Sequence, residues 1–248
     1  MLTHRPGGLG LLDIWVAGRE STNAPWGAPQ HLGEPVNSTA NDFCPTPVRG
    51  GGLFFVSREA LPGSCGIGDI CFTRFNFSQG WREPRHLACA PEGPNSPLDE
   101  QGPSYVEVDG KALLYFSRSS MSVPGEIYAS ERLAGGSFGP ASPVSELNDA
   151  TANDIQPNVR KDGRELVFSS NRSGTLGGQD IWAATRDSVH DPWSAPLNLG
   201  EAVNTSAGET RPALSWNAKT LIFGRAPGPE GMSDIYVSTR AKVTGSGG

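Results

Sequence analysis

Short runs of β-branched and aromatic residues recur along the chain, each bounded by turn-forming residues such as Gly, Asn and Asp. Runs of this length and composition are typical of β-strands. The clearest are LFFVSR (53–58), LLYFSR (113–118), LVFSSNR (166–172) and LIFGR (221–225). Asp109-Gly110 and Asp162-Gly163 precede two of these runs, and such pairs favour the tight turn of a β-hairpin. The pattern predicts short antiparallel strands and no long helix.

These strands belong to a repeat of roughly 55 residues. An acidic residue followed by isoleucine marks each copy, with spacings of 56, 57, 54 and 54 residues, at Asp13, Asp69, Glu126, Asp180 and Asp234. An acid three residues before a proline is the second mark, at Asp42, Glu100, Asp154 and Glu209. A stretch rich in Trp and Pro is the third, at 25–29, 80–84, 137–140 and 192–196. Each copy therefore predicts four strands, of which the Trp/Pro stretch forms the outer edge.

Four-stranded antiparallel units repeated along a chain predict an all-β fold, the β-propeller, because one such sheet cannot bury both of its faces alone. The expected units are 1–41, 42–99, 100–153, 154–208 and 209–240, with the first and last incomplete. The sequence is compatible with a native ring of four, five or six blades. We expect a single domain over 1–240 and a flexible tail over 241–248. The aromatic residues Trp15, Tyr128, Trp182 and Tyr236 should pack between neighbouring blades.

Composition and charge narrow the classes of partner. The 248 residues include 32 Gly and 21 Pro, as many short strands and turns require, and the net charge is −6. No run of Lys or Arg could neutralise successive phosphates, so we expect no nucleic-acid partner. No apolar stretch is long enough for membrane insertion, and the first residues lack the pattern of a signal peptide. A monomer is the expected state.

The four cysteines, Cys44, Cys65, Cys71 and Cys89, lie within one window of 46 residues. No two of them have the CxxC spacing, which argues against a zinc site. One or two disulfides among them, or buried thiols, are both compatible with the spacing.

Several segments resemble a known family, the TolB-type bacterial propellers with WD-like repeats, in the variety found beside outer-membrane-protein-A-like domains. The resemblance rests on SSNRSGTLGGQDIW (169–182), PWSAPLNLGEAVNTSAGETRP (192–212) and PWGAPQHLGEPVNSTANDFCP (25–45). It implies a propeller that serves as an interaction platform in the cell envelope. The second copy departs from the pattern, since Cys71 takes the aromatic place and LACAPEGPNSPLDE (87–100) replaces the usual connection.

The acids Asp42, Glu100, Asp154 and Glu209 are the first candidates for chemistry, and we call them the repeat acids. Each lies just before the innermost strand of its unit, so a propeller would bring them to one mouth of its central channel. Crowded carboxylates can hydrolyse glycosides, with Asp42 and Asp154 as the catalytic candidates, or hold a divalent cation. Alternatively, each accepts backbone N–H groups of a turn that the fold repeats, and we favour this second interpretation.

Four arginines that end the second strands, Arg58, Arg118, Arg172 and Arg225, recur with the same period, and we call them the repeat arginines. They could line a groove for an anionic glycan, but ion pairing with the acids is the favoured interpretation.

These observations lead to an expected function. No motif of a known catalytic class is present, so we expect a non-catalytic scaffold that binds a protein or glycan in the bacterial cell envelope, in the periplasm or outside the cell, without a cofactor. The alternative is a carbohydrate-active propeller, a glycoside hydrolase that uses the repeat acids. A structural divalent cation at these acids is a third hypothesis.

Overall fold

The fold is an all-β propeller, as the sequence predicts. A computed structural model describes residues 2–3, 7–21, 23–60, 62–229 and 231–241, and these contain 19 strands and no helix. Within these ranges no helix is long and apolar enough to cross a membrane. The prediction of a flexible tail falls, apart from Ala241, outside the described residues.

The strands form five antiparallel sheets in chain order. The first sheet contains β1 (Leu2–Thr3), β2 (Asp13–Val16) and β3 (Gln30–His31), and the second contains β4 (Asp42–Val48), β5 (Gly52–Ser57), β6 (Asp69–Asn76), β7 (Gly80–Trp81) and β8 (Arg85–His86). The third comprises β9 (Asp99–Val108), β10 (Lys111–Ser119), β11 (Glu126–Arg132) and β12 (Phe138–Pro143). The fourth comprises β13 (Asp154–Val159), β14 (Glu165–Ser170), β15 (Asp180–Thr185) and β16 (Leu197–Asn198), and the fifth β17 (Gly208–Leu214), β18 (Thr220–Ala226) and β19 (Asp234–Thr239).

The chain divides into two compact units. Residues 1–103 and 132–141 make up unit 1, and residues 104–131 and 142–248 make up unit 2, as far as they are described. In unit 1 the core includes Ile14, Val36, Leu53, Phe55 and Cys71. Cys71 lies where the other copies carry an aromatic residue, so the smaller thiol fills that place in the core.

Unit 2 has two buried clusters. One contains Tyr115, Phe168, Trp182 and Trp193, and partly buried Tyr236 packs against the other. Trp182 is thus a core residue, whereas Trp15 and Tyr128 are only half-buried.

Each innermost strand bends directly after its acid. The residue before the proline has a positive φ in every copy: 54° at Cys44, 61° at Gly102, 57° at Gln156 and 54° at Arg211. The register of β4, β13 and β17 against the second strand shifts at the same place. A bulge with one residue in the left-handed region turns the strand and separates the acid from the paired residues that follow.

The edge strands lie further along the chain than the sequence predicts. The Trp/Pro stretches at 25–29 and 192–196 are irregular, and pairing with the third strand begins only at Gln30 and Leu197. Proline lacks the N–H that a ladder needs, so pairing begins only after the last proline of these two stretches. Among the edge strands, only β7 and β12 include the aromatic residue of the stretch, Trp81 and Phe138 respectively.

A glycine before the third strand packs against the next connection in three copies. A Cβ atom built on Gly177 would overlap the carbonyl oxygen of Ala207 and lie 2.6 Å from that of Thr205. Gly10 and Gly66 make the same close approach to the backbone near Ala40 and Ser96. These are backbone atoms, which cannot rotate away as a side chain can.

We therefore expect Gly177→Ala to lower the free energy of unfolding by about 1–3 kcal/mol, the usual range for overpacking. Gly18→Ala is the control, because a Cβ atom there meets nothing within 4 Å. Urea unfolding of both variants tests this. Equal stability of the two variants would show that the loop at Gly177 can move aside.

Candidate functional site

Each copy is held at one end by an asparagine that bridges the third strand. Its side-chain oxygen accepts the N–H of the isoleucine that follows the strand's acid, and its amide donates to the carbonyl of the same isoleucine. For Asn37 and Ile14 these distances are 2.7 and 3.0 Å, and for Asn204 and Ile181 they are 2.7 and 2.9 Å. Asn95 bridges Ile70 and Asn148 bridges Ile127 in the same way. Sequence reasoning missed these four bridging asparagines, although their period matches that of the acids.

The repeat acids close the turns that follow these asparagines. The carboxylates of Asp42, Glu100 and Glu209 each accept a backbone N–H and a hydroxyl from the residue four positions earlier, namely Ser38, Ser96 and Thr205. Asp154 accepts the N–H of Asp149 at 2.6 Å. All four acids have 0% exposure. Their contacts are those of the turn-capping interpretation.

The backbone of each repeat acid also ties its strand to the preceding sheet. Its N–H donates to the carbonyl just before the preceding third strand, as in Asp154 to Gly125 at 2.8 Å and Glu209 to Gln179 at 2.6 Å. Asp42 bonds Leu12 and Glu100 bonds Gly68 in the same manner. One residue therefore joins a turn, its own strand and the sheet before it.

In unit 2, Arg172 and Arg225 pair with these acids, and the repeat arginines lie over aromatic rings. Arg172 Nη2 lies 2.5 Å from Asp154 Oδ1, and Arg225 Nε lies 2.6 Å from Glu209 Oε1. The guanidinium of Arg225 also lies 4.2 Å from the ring centre of Tyr236. Arg118 lies 4.3 Å from the ring centre of Tyr128. Arg172 and Arg225 are thus paired with the acid of their own copy.

Unit 1 departs from this pairing. Arg58, the equivalent arginine, does not pair with Asp42: its Nη2 lies 2.6 Å from Oδ2 of Asp99, the residue that precedes the next repeat acid. Asp42 Oδ1 is buried and has no hydrogen-bond partner within the described residues. Burial raises the pKa of Asp42 above its ordinary value of 3.8, and hydrogen bonds from Ser57 and Ser38 offset only part of this effect.

Asp99 is therefore an additional acid at the strand start. Its Oδ2 accepts from Arg58 and, at 2.7 Å, from Gln101 Nε2. Its Oδ1 lies directly over Gly68, where a Cβ atom would overlap it. The sequence carried a signal for it, since Asn41 and Asn153 occupy the same position in other copies and accept a backbone N–H there.

One disulfide forms among the four cysteines. Cys65 and Cys89 are joined, with their Cα atoms 5.6 Å apart, and the bond connects the loop before β6 with the loop after β8. Cys71 is buried, and burial raises the pKa of its thiol. Cys44 is half-buried at the bend of β4.

The two edge-strand histidines contact the acids of the third strands. His86 Nδ1 lies 3.2 Å from Asp69 Oδ2, and its side chain is 8% exposed. His31 Nε2 lies 3.7 Å from Asp13. No group of three or more His, Cys, Asp or Glu side chains in the described ranges could hold a metal ion.

A cavity of about 400 Å³ lies within unit 2, away from the repeat acids. Its lining includes Tyr115, Glu146, Arg186, Asp191 and Trp193. The Arg186 guanidinium lies 4.0 Å from the Trp193 ring centre, and both Tyr115 and Trp193 are buried. The ring faces are thus occupied by protein atoms, which makes this cavity a poor platform for stacking a sugar.

The disulfide should contribute strongly to stability, because it closes a loop of 24 residues in sequence separation. The loop-entropy relation gives about 3–4 kcal/mol for a loop of this length. We expect the double variant Cys65→Ser/Cys89→Ser to lose about that much stability in urea unfolding, and a reductant to weaken only the wild type. A wild type that is indifferent to reductant would contradict this.

Loss of the side-chain charge should have opposite effects on the free energy of unfolding at Asp42 and at Asp154. Asp154→Asn leaves Arg172 buried without its partner and should cost about 3 kcal/mol or more. Asp42 has a raised pKa in the folded state, so its protonated form stabilises the fold below pH 3.8 and this contribution is lost as the pH rises through the folded value. Asp42→Asn should therefore keep or raise stability at pH 7 and flatten its fall above pH 4. Unfolding by urea between pH 4 and 8 measures both, and equal losses would refute the distinction.

Comparison with known proteins identifies the fold and no closer relationship. No family model matches the sequence, and no curated protein is similar to it. A thermostable family-43 glycoside hydrolase has a similar structure, with a TM-score of 0.62 and 14% identity over 92% of this chain and 81% of the other. An endo-arabinase from Bacteroides thetaiotaomicron has a TM-score of 0.54 and 14% identity, over 97% and 93% of the two chains.

A TolB protein from Agrobacterium tumefaciens is a weaker match, with a TM-score of 0.44 and 14% identity over 86% of this chain and 85% of the other. It adds no support to the TolB resemblance. The prediction of a non-catalytic scaffold is wrong by this comparison, because the stronger matches are hydrolases of glycans. That prediction rested on the absence of a short catalytic motif. Such an absence does not exclude an enzyme, because a propeller brings together residues that are distant in sequence. The comparisons favour the carbohydrate-active alternative.

Proposed function

We propose that the chain is a carbohydrate-active propeller, a glycoside hydrolase whose substrate is a glycan polymer. The observation that carries the proposal is the similarity of fold to glycan hydrolases over nine-tenths of the chain and most of the length of theirs. A scaffold shared with enzymes of one reaction class raises the expectation of that class, and the site residues must then support it.

The site residues give a starting point in unit 1. Hydrolysis of a glycoside needs one carboxyl that donates a proton and one that stays ionised. Asp42, with its raised pKa, has the property of the proton donor. In unit 2, Asp154 is the sequence candidate, but its ion pair with Arg172 suits a structural role better.

The disulfide supports a location outside the cytoplasm. Cys65–Cys89 would persist in the periplasm or outside the cell, where thiols are not kept reduced. Polymeric glycans are found in the same places, so the location fits the substrate. We propose that the chain acts there as a monomer.

Hydrolysis of soluble polysaccharides tests the proposal. We expect release of reducing ends from at least one of a panel that contains arabinan, xylan and other plant and bacterial glycans. The product should depend on enzyme concentration and disappear after heat unfolding. A purified chain that melts cooperatively and releases no sugar from any of them would refute the hydrolase assignment.

The variants Asp42→Asn and Asp154→Asn separate catalytic from structural roles. If Asp42 donates the proton, Asp42→Asn loses activity by roughly a hundredfold or more at an unchanged melting temperature. Asp154→Asn should lose activity only in proportion to its loss of folded protein. Full activity of Asp42→Asn would remove Asp42 from the catalytic candidates.

A further inference from the structure

The pairing of the repeat arginines is broken at Arg58. In unit 2, Arg172 and Arg225 pair with fully buried acids of their own copy, and their side chains are 10% and 20% exposed. Arg58 instead pairs with Asp99, and 34% of its side chain is exposed. Since the fold repeats, this departure from the pairing of Arg172 and Arg225 is not required by the architecture.

Two contacts fix the direction of the Arg58 guanidinium. Nη2 binds Asp99 Oδ2 at 2.6 Å, and the guanidinium lies 5.0 Å from the ring centre of Phe43. Asp99 is itself held by Gln101 and by the space that Gly68 leaves for its Oδ1. The rigid fork of a guanidinium presents several N–H donors, of which the contact with Asp99 uses only part.

The charges at this place indicate the kind of ligand. The carboxylate of Asp99 balances the positive charge of Arg58, so the pair carries no net charge. It offers guanidinium N–H donors of fixed direction beside a carboxylate acceptor. Paired hydroxyls on adjacent carbons of a neutral sugar match such a set, because each hydroxyl both donates and accepts. A uronic acid would place its carboxylate near that of Asp99, which costs energy.

Resting on the proposed function, we propose that Arg58 contacts hydroxyl groups of a neutral saccharide, and that Asp99 and Phe43 are positioning residues for its guanidinium. Arg58 thus contributes to substrate affinity, whereas Arg172 and Arg225 serve the fold.

Kinetics and binding of two variants test this. Arg58→Lys keeps the charge but loses the fork, and Asp99→Asn keeps the shape but loses the ion pair. Both should raise KM or the Kd for a neutral polysaccharide such as arabinan or xylan about tenfold or more, with a much smaller change in kcat. Their melting temperatures should stay close to that of the wild type, because Arg58 is partly exposed and asparagine keeps the size of the buried Asp99 side chain.

Arg160→Lys is the matched control. Arg160 is 27% exposed and pairs with Asp162 at 2.6 Å and with Glu165 at 3.0 Å, so it is an ion-paired arginine of similar exposure that lies in unit 2 on a turn. We expect no change in KM or Kd. Polygalacturonan in place of the neutral polymers tests the ligand class, and we expect weaker binding.

The outcomes separate this inference from the proposed function. A wild type that hydrolyses neutral glycans while Arg58→Lys has an unchanged KM overturns the role of Arg58 and leaves the hydrolase assignment intact. Preference for polygalacturonan that Arg58→Lys abolishes overturns the neutral-sugar assignment. A wild type that neither binds nor hydrolyses any polymer overturns both. An equal rise in KM for Arg160→Lys would also refute the specific role.

Discussion

The fold depends on a buried side chain that accepts hydrogen bonds at the start of each innermost strand. In four successive copies this side chain caps a turn, while its backbone N–H reaches the sheet before it. A capped turn leaves no backbone donor unsatisfied in a buried place, which would otherwise cost 1–3 kcal/mol. In the same way, each bridging asparagine satisfies the backbone N–H and carbonyl of the isoleucine in the third strand. Successive sheets are thereby joined through polar groups at one end of each copy, in addition to the apolar packing between sheets in unit 2.

The same arrangement explains why function has to be sought where the pattern breaks. In unit 2 the acids Asp154 and Glu209 each cap a turn and pair with an arginine. In unit 1 the arginine turns to Asp99, which leaves Asp42 without that partner and a guanidinium partly in solvent. A repeat protein can alter one copy in this way, since the neighbouring copies maintain the fold.

The sequence predicts the features that depend on residues close in the chain. The repeat, its strands and the hairpin turns follow from local composition, and the turn-capping role of the repeat acids follows from their place before a proline. The partner of Arg58 and the choice of Cys65 and Cys89 could not be derived, because both depend on how two loops approach each other in three dimensions. The predicted position of the edge strands is wrong for a local reason, because the prolines lack the N–H donors that pairing needs.

The bridging asparagines limit the hosts in which the chain can be produced intact. Asn37-Ser38-Thr39 and Asn204-Thr205-Ser206 have the form that eukaryotic secretory enzymes recognise for attaching sugars to the asparagine amide. In Asn204 both amide hydrogens are engaged, with Ile181 and Asn198, and in Asn37 the amide contacts Ile14 and His31. A sugar joined there before folding would replace one of these bonds with a bulky group in a buried place. Yeast or mammalian secretion would therefore yield a mixture of foldable and blocked chains, which a bacterial host avoids.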